Sequence, residues 1–256
     1  MHAQPRARNS TLRHSLSQAG QDQAVLDVLG NLAGGFFVDL AANDPFLFSN
    51  TAALEAERGW RGLCVDAAER SQRTFVSSNR TCAFLRALVG QPHANATLLF
   101  RELEPLPTAG PRSSWMHGLS SVVASETAHT CWDRFCISVR DLQRRNVSVM
   151  HERMRQRSLD DVLDEAHAPD VISYLSLDVE GHESAVLRGL RRHRVLVATV
   201  ERPDAAACAL LAARGMRYAR SLGEFGETLW VHRDEARYWR EAAGGESGDG
   251  TRDRER

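Results

Sequence analysis

From about residue 17 to residue 240, short apolar runs alternate with stretches whose apolar positions recur at helical spacing. That alternation marks a parallel sheet built from strand–helix–strand units. In QDQAVLDVLGNL, Val25, Leu26, Val28, Leu29 and Leu32 share one helical face. GGFFVDLA reads as a buried strand, and a helix follows from about Asn50 to Arg58 with Ser49 or Asn50 as its N-cap. GLCVDA is a second strand, ERSQRTFVSS a helix, CAFLRALVG a third strand and ATLLFREL a fourth. Over residues 104–150 the periodicity is lost among Pro, Gly and Ser clusters, with aromatic points at Trp115 and Trp132. A loop of that length inside a domain usually carries function, and it can conceal a hairpin or a lid.

Order returns at SLDDVLDEA, a helix capped by Ser158 with Asp161 three residues on. DVISYLSLDVEG is the next strand and HESAVLRGLRRH its helix. VLVATVE is another strand, and PDAAACALLAARG is a helix with Pro203 near its start and Gly215 at its end. MRYARS and ETLWVHR form a closing antiparallel pair. The pattern predicts an α/β fold with a doubly wound, mostly parallel, seven-stranded sheet and one antiparallel strand. Residues 1–16 and 241–256 are polar and cannot bury enough apolar area to order themselves, so both read as tails around one domain at 17–240.

A formal net charge of −1 gives no global field for nucleic acid or an anionic membrane. No run approaches the ~18 apolar residues of a membrane span, and the first residues lack the apolar core of a signal peptide. Cys64, Cys82, Cys131, Cys136 and Cys208 show no C-x-x-C spacing, which argues against zinc. Cys64 is expected in the core. Cys131 and Cys136 can form a disulfide in an oxidising compartment, and the odd count leaves a thiol free. Asn-x-Ser/Thr occurs at Asn9, Asn79, Asn95 and Asn146. These sequons suggest a secretory-pathway lumen (ER or Golgi) and a glycoprotein. Without a recognisable signal segment, the cytoplasm is the alternative.

Three acids stand at strand ends, Asp39, Asp66 and Asp178, with Glu201 closing a further strand. In open α/β sheets ligands bind beyond the carboxyl ends of the strands, and an acid ending the second strand is placed to accept both hydroxyls of an adenosine ribose. The turn after the first strand, DLAANDP, lacks the glycines that let backbone approach a pyrophosphate. That favours a ligand without phosphates over a dinucleotide. Ala41 and Ala42 are small enough to let it pass, and Asn43 tolerates unusual backbone angles.

SQAGQD, FFVDLAANDP, SNTAALE, GWRGLCVD, SLDDVLDE and YLSLDVEGHESAVLRGL, in that order, resemble the FkbM family of methyltransferases over roughly residues 17–233. The resemblance implies a class I, Rossmann-like methyltransferase fold, S-adenosylmethionine as cofactor and O-methylation of a hydroxyl on a glycan or small molecule. Carried over by position, Asp39, Ala41 and Asn43 form the first cofactor motif and Asp66 holds the ribose. Ser49 and Asn50 line the pocket and Leu88 borders the adenine. Ala41 and Pro45 stand where the family often has glycine.

Methyl transfer to a hydroxyl needs in-line positioning and a base. DVEGHE offers Asp178 to orient the acceptor and Glu180 or His182 to take the proton. If the strand continued through this motif, its side chains would face opposite ways, which argues against a metal among the three. His117, His151 and His167 read as surface or loop residues, with Trp115, Trp132 and His117 as an alternative acceptor lid. Against the enzyme stand two other classes: a non-catalytic relative acting in secretory trafficking, and an oxidoreductase, disfavoured because no G-x-G-x-x-G follows the first strand.

Overall fold

The computed structural model describes residues 12–235, apart from 92–95, 111–112, 114 and 133–134. The chain opens with α1 (Gln21–Val28), β1 (Phe36–Leu40), α2 (Ala52–Arg58), β2 (Arg61–Asp66), α3 (Glu69–Val76) and β3 (Ala83–Arg86). It then builds β4 (Leu88–Gly90), β5 (Thr97–Pro105), a 3₁₀ turn at Met116–Leu119, β6 (Ser121–Val123) and β7 (Thr130–Trp132). β8 (Phe135–Ile137), α4 (Val139–Arg144) and β9 (Val147–Ser158) complete that middle part. The return comprises α5 (Leu159–Glu165), β10 (Val171–Leu177), α6 (Glu183–Arg188), β11 (Arg194–Glu201), α7 (Ala205–Ala213), β12 (Met216–Leu222) and β13 (Glu227–His232).

The main sheet has seven strands in the order β12-β13-β11-β10-β1-β2-β3. Neighbours from β11 to β3 run parallel, and β13 is antiparallel to both strands beside it. Strand period two then sorts the side chains. Val38, Leu40, Leu63, Val65, Leu175 and Leu177 pack with α5, α6 and α7 on one face. Phe37, Cys64, Tyr174 and Val197 pack with α1, α2 and α3 on the other. By the same alternation Asp39 lies on the Phe37 face, where the Thr51 hydroxyl donates to it.

Two expectations need correction. CAFLRALVG is not one strand: it divides at Ala87, leaving β3 in the main sheet and sending β4 to a second one. ATLLFREL likewise belongs to that second sheet, of order β4-β9-β5-β6, where β5 runs antiparallel to β9 along its whole length. The apparent loop at 104–150 is mostly structure. Polar residues such as Arg153 and Arg155 fill the exposed positions of β9, so no apolar run announces the strand. The anticipated hairpin is present as β7–β8, bridged by a Cys131–Cys136 disulfide.

Cys64 is buried as expected, but it is also disulfide-bonded to Cys82, which ties β2 to the approach of β3; Cys208 is free. Ser158 caps α5 by accepting from Asp161 N at 3.1 Å. The cap of α2 differs from expectation. Thr51 holds the N-cap position, Ser49 Oγ accepts from Ala52 N at 3.1 Å, and Asn50 donates across to Ser176. Within residues 12–16, Arg13 N donates to Glu57 and Ser15 Oγ to Asp22. Residues 1–11 and 241–256 lie outside the described residues, as do Asn9 and Asn95. No helix among the described residues is long and apolar enough to cross a membrane.

The loop between β1 and α2 is fastened by Arg80. Its guanidinium pairs with Glu55 at 3.0 Å, with side chains 3% and 9% exposed. It also donates to Pro45 O, Ser49 Oγ and Thr51 Oγ1. Removing one partner of a buried pair strands the other charge, at a cost of about 3–5 kcal/mol. We expect Arg80→Met to lower the melting temperature by roughly 10 °C, and Glu55→Gln in the same chain to recover part of the loss. Thermal melts of the single and double variants check this; a change within error for Arg80→Met contradicts it.

Candidate functional site

Parallel strands that end side by side leave their carboxyl ends open, and here that end forms a cavity of ≈ 800 Å³, within the size range of small-molecule sites. All ten residues singled out from the sequence line it: Asp39, Ala41, Asn43, Ser49, Asn50, Asp66, Leu88, Asp178, Glu180 and His182. Glu201 lines it too.

The turn after β1 achieves without glycine what glycine usually provides. Ala41 and Asn43 both adopt left-handed backbone, with φ 57° and 53°. Ala42 N donates to Val65 O, and Asn43 N donates to Asp66 Oδ2 at 2.8 Å. These bonds, with the Arg80 anchor, hold a conformation that costs an L-residue about 1–2 kcal/mol. Asp66 also accepts from Ala68 N at 2.8 Å. Burial raises the Asp66 carboxyl above its usual range, and the two backbone donors oppose that rise. Asp39 is raised for the same reason, opposed by Thr51. Beside Asp66, the buried side chains of Ala67, Ala68, Leu88 and Phe100 make an apolar wall.

At the other end β10 stops at Leu177. The chain turns at once through Glu180 (φ 51°) and Gly181 (φ 91°), so DVEGHE is not a continuing strand. Asp178 and Glu180 therefore converge on Glu201 instead of facing opposite ways. Arg202 pairs with Glu180 at 2.9 Å and with Glu201 at 2.8 Å. Burial, then the neighbouring Glu201 charge, raises the Asp178 carboxyl well above its usual range. The same two causes bring Glu180 to about 7 and Glu227 to about 8. His182 is the N-cap residue of α6, and burial lowers its imidazole's affinity for a proton. Its Nε2 points at Gly90, where an added Cβ would stand 3.0 Å away.

His117 departs from the surface placement expected of it. It is buried in the 3₁₀ turn over the cavity, with Nδ1 2.8 Å from Asn43 Oδ1. Burial and nearby Arg70 push its pKa down to about 4, so it is neutral at physiological pH. Because Asn43 Oδ1 accepts, Nδ1 carries the hydrogen. His151 is half-buried and accepts from Arg101, whereas His167 is exposed as expected. Trp115 does reach the cavity rim; the Trp132 side chain lies outside the described residues.

A family model for the methyltransferase FkbM domain matches residues 39–207. The chain belongs to the FkbM methyltransferase family. No curated protein matches it significantly. The FkbM match runs from the first cavity acid, Asp39, into α7, and it includes the second sheet, Asp66 and the DVEGHE turn. Gln18, Gln21 and Glu227 line the same cavity from outside the matched span. Gln18 and Gln21 had a signal in SQAGQD, although no role went with it. Glu227 had none: it opens an antiparallel strand, and only the pairing of β13 with β11 carries it to the cleft.

The raised acids set a pH dependence. A free glutamate titrates near 4.5, while Glu180 and Glu227 hold their protons to about 7 and 8 when folded. The native state thus binds more protons than the unfolded one, and these groups make stability fall as pH rises through that window. Glu227→Gln removes one such group. Its melting temperature should exceed wild type by about 2–4 °C at a pH above 8, per kcal/mol recovered, and converge with it near pH 4.5. Parallel curves for the two proteins contradict this.

Proposed function

We propose that this FkbM-family protein is a class I, Rossmann-like, S-adenosylmethionine-dependent methyltransferase that O-methylates a hydroxyl of a glycan or small molecule. The observation that carries the reading is the acidic lining of the cavity: Asp39, Asp66, Asp178, Glu180, Glu201, Glu224 and Glu227 line it, with Arg202 as the opposing arginine. Such a lining repels a pyrophosphate and suits a sulfonium. The strand order, with β13 antiparallel beside β11, supports the class I assignment.

The residues present fit the cofactor. Asp66 is fixed by two backbone donors and keeps lone pairs for ribose hydroxyls, since each carboxylate oxygen accepts more than one bond. The wall of Ala67, Ala68, Leu88 and Phe100 suits the adenine. Asp39 and Asn43 stand over the first turn for the amino-acid end, and Ser49 and Asn50 close that side. When bound, the cofactor supplies an electrophilic methyl group. Asp178, whose affinity for a proton burial raises, stands where it can orient the acceptor by a hydrogen bond. Glu180, near 7, is matched to take the hydroxyl proton at neutral pH as the oxygen bonds the methyl carbon. His182 turns its Nε2 toward Gly90, which leaves Glu180 as the base. The cavity stays open despite Ala41 and Pro45, which favours an enzyme over a non-catalytic trafficking module.

We place the protein in an oxidising, secretory-pathway compartment. The Cys64–Cys82 and Cys131–Cys136 disulfides and the exposure of Asn79 and Asn146 between elements support this. Made in a secretory host, the chain should lose mass on treatment with an N-glycan amidase, and Asn79→Gln and Asn146→Gln should each remove a share. A chain that never shifts contradicts the placement.

Calorimetric titration with S-adenosylmethionine should give saturable binding, weakened at least about tenfold in Asp66→Ala through loss of charged hydrogen bonds. Across a panel of hydroxylated acceptors, Glu180→Gln should slow methyl transfer by roughly 10²–10⁴. Equal cofactor affinity in Asp66→Ala defeats the site assignment.

A further inference from the structure

We propose that Asp178, Glu180 and Glu201 bind one hard divalent cation at the acceptor end of the cavity. Each offers a carboxylate oxygen, and the three oxygens lie within 4.8 Å of one another. Bonds of about 2.1–2.5 Å to a single Mg²⁺, Mn²⁺ or Ca²⁺ ion allow ligand oxygens up to about 5 Å apart, so the spacing suits one ion with water completing its shell. The donors are all oxygens, the ligand type these ions prefer.

A second observation points to a ligand. Asp178 Oδ1 is shut off from solvent and no donor meets it, while the Asp178 carboxyl lies against that of Glu201. A buried acceptor left bare costs about 1–3 kcal/mol unless something meets it. Arg202 does not reach it; that guanidinium is engaged by Glu180 and Glu201. Glu227 adds a fourth acid at this end of the cleft, and among the described residues Arg202 is the cation that pairs with Glu180 and Glu201.

The site exists because β10 ends at Leu177 and the chain turns through two left-handed residues, which brings Glu180 round toward Glu201 on β11. The role of the ion rests on the methyltransferase reading. Bound there, it would displace the protons of Asp178 and Glu180, take over their orienting and proton-accepting roles, hold the acceptor oxygen and lower the pKa of its hydroxyl, easing the proton's departure to water. Binding of the ion does not depend on that reading.

The test uses the full chain, stripped with a chelator and titrated with Mn²⁺ alone by calorimetry and electron paramagnetic resonance, without cofactor or acceptor. We expect one site with Kd of about 10⁻⁵–10⁻³ M, weakened at least tenfold in Asp178→Asn. Glu201→Gln serves as a second variant should Asp178→Asn fail to fold, as judged by its melt. Arg202→Ala should tighten binding severalfold by removing the competing guanidinium, and Glu152→Gln, at an exposed ion pair, should leave it unchanged. Absence of Mn²⁺ binding to wild type, or equal binding by the Asp178 and Glu201 variants, overturns the proposal. Cofactor titration on the same samples separates the two claims. Cofactor binding without Mn²⁺ binding removes the cation alone, whereas Mn²⁺ binding without cofactor binding removes the methyltransferase reading alone.

Discussion

Arg80 lies between the β1–α2 loop and the segment entering β3, and its guanidinium is nearly out of water. It neutralises Glu55, holds the carbonyl of Pro45 and the hydroxyl of Ser49, and donates to Thr51, which in turn donates to Asp39. The rings of Phe37 and Phe75 pack beneath it, 5.9 and 5.7 Å from the guanidinium carbon. The Cys64–Cys82 disulfide fixes the strand on which that segment leans. A loop without glycines needs such external anchoring, because Ala41 and Asn43 must be held in backbone conformations they would otherwise leave. The turn after β1 is thus held by one buried cation together with the Ala42 and Asn43 backbone bonds rather than by glycine.

From that anchored turn the remainder of the cleft follows by strand parity. Side chains of both parities on β1 and β10 pack core, and Asp39 and Ser176, on the parity of Phe37 and Tyr174, stand beside each other across the pair. β2 and β11 end on acids, Asp66 and Glu201, and Asp178 directly follows β10, so the cavity collects acids without any cluster in the sequence. Burial then raises the proton affinity of most of these groups. The cleft is consequently partly protonated near neutral pH, able to donate hydrogen bonds at one carboxyl and accept protons at another.

Much of this was legible in the sequence because the main sheet obeys simple rules. Buried parallel strands read as apolar runs, Ser158 announces the start of α5, and strand-end acids announce the cleft. The family resemblance supplied positions for residues such as Ser49 and Leu88 that no periodicity could mark. The second sheet was not legible. β5 reads as a strand but nothing in it tells which sheet it joins, and β9, with most of its residues polar, disguises itself as a charged loop. The break between β3 and β4 leaves no mark in an unbroken apolar run. Arg80, His117 and Glu227 were missed for a common reason: each acquires its importance from a partner distant in the chain, as Glu55, Asn43 and Glu201 are. The sharp turn after Leu177 was also invisible, and it decides which acids meet.

A crystal structure with S-adenosylhomocysteine bound would put the cleft to the test. The ribose hydroxyls should lie within hydrogen-bonding distance of Asp66, the adenine against Leu88 and Phe100, and the sulfur should face Asp178 and Glu180. A ligand seated elsewhere, or with its ribose turned away from Asp66, would contradict the assignment of this acidic cavity as the methyl-donor site.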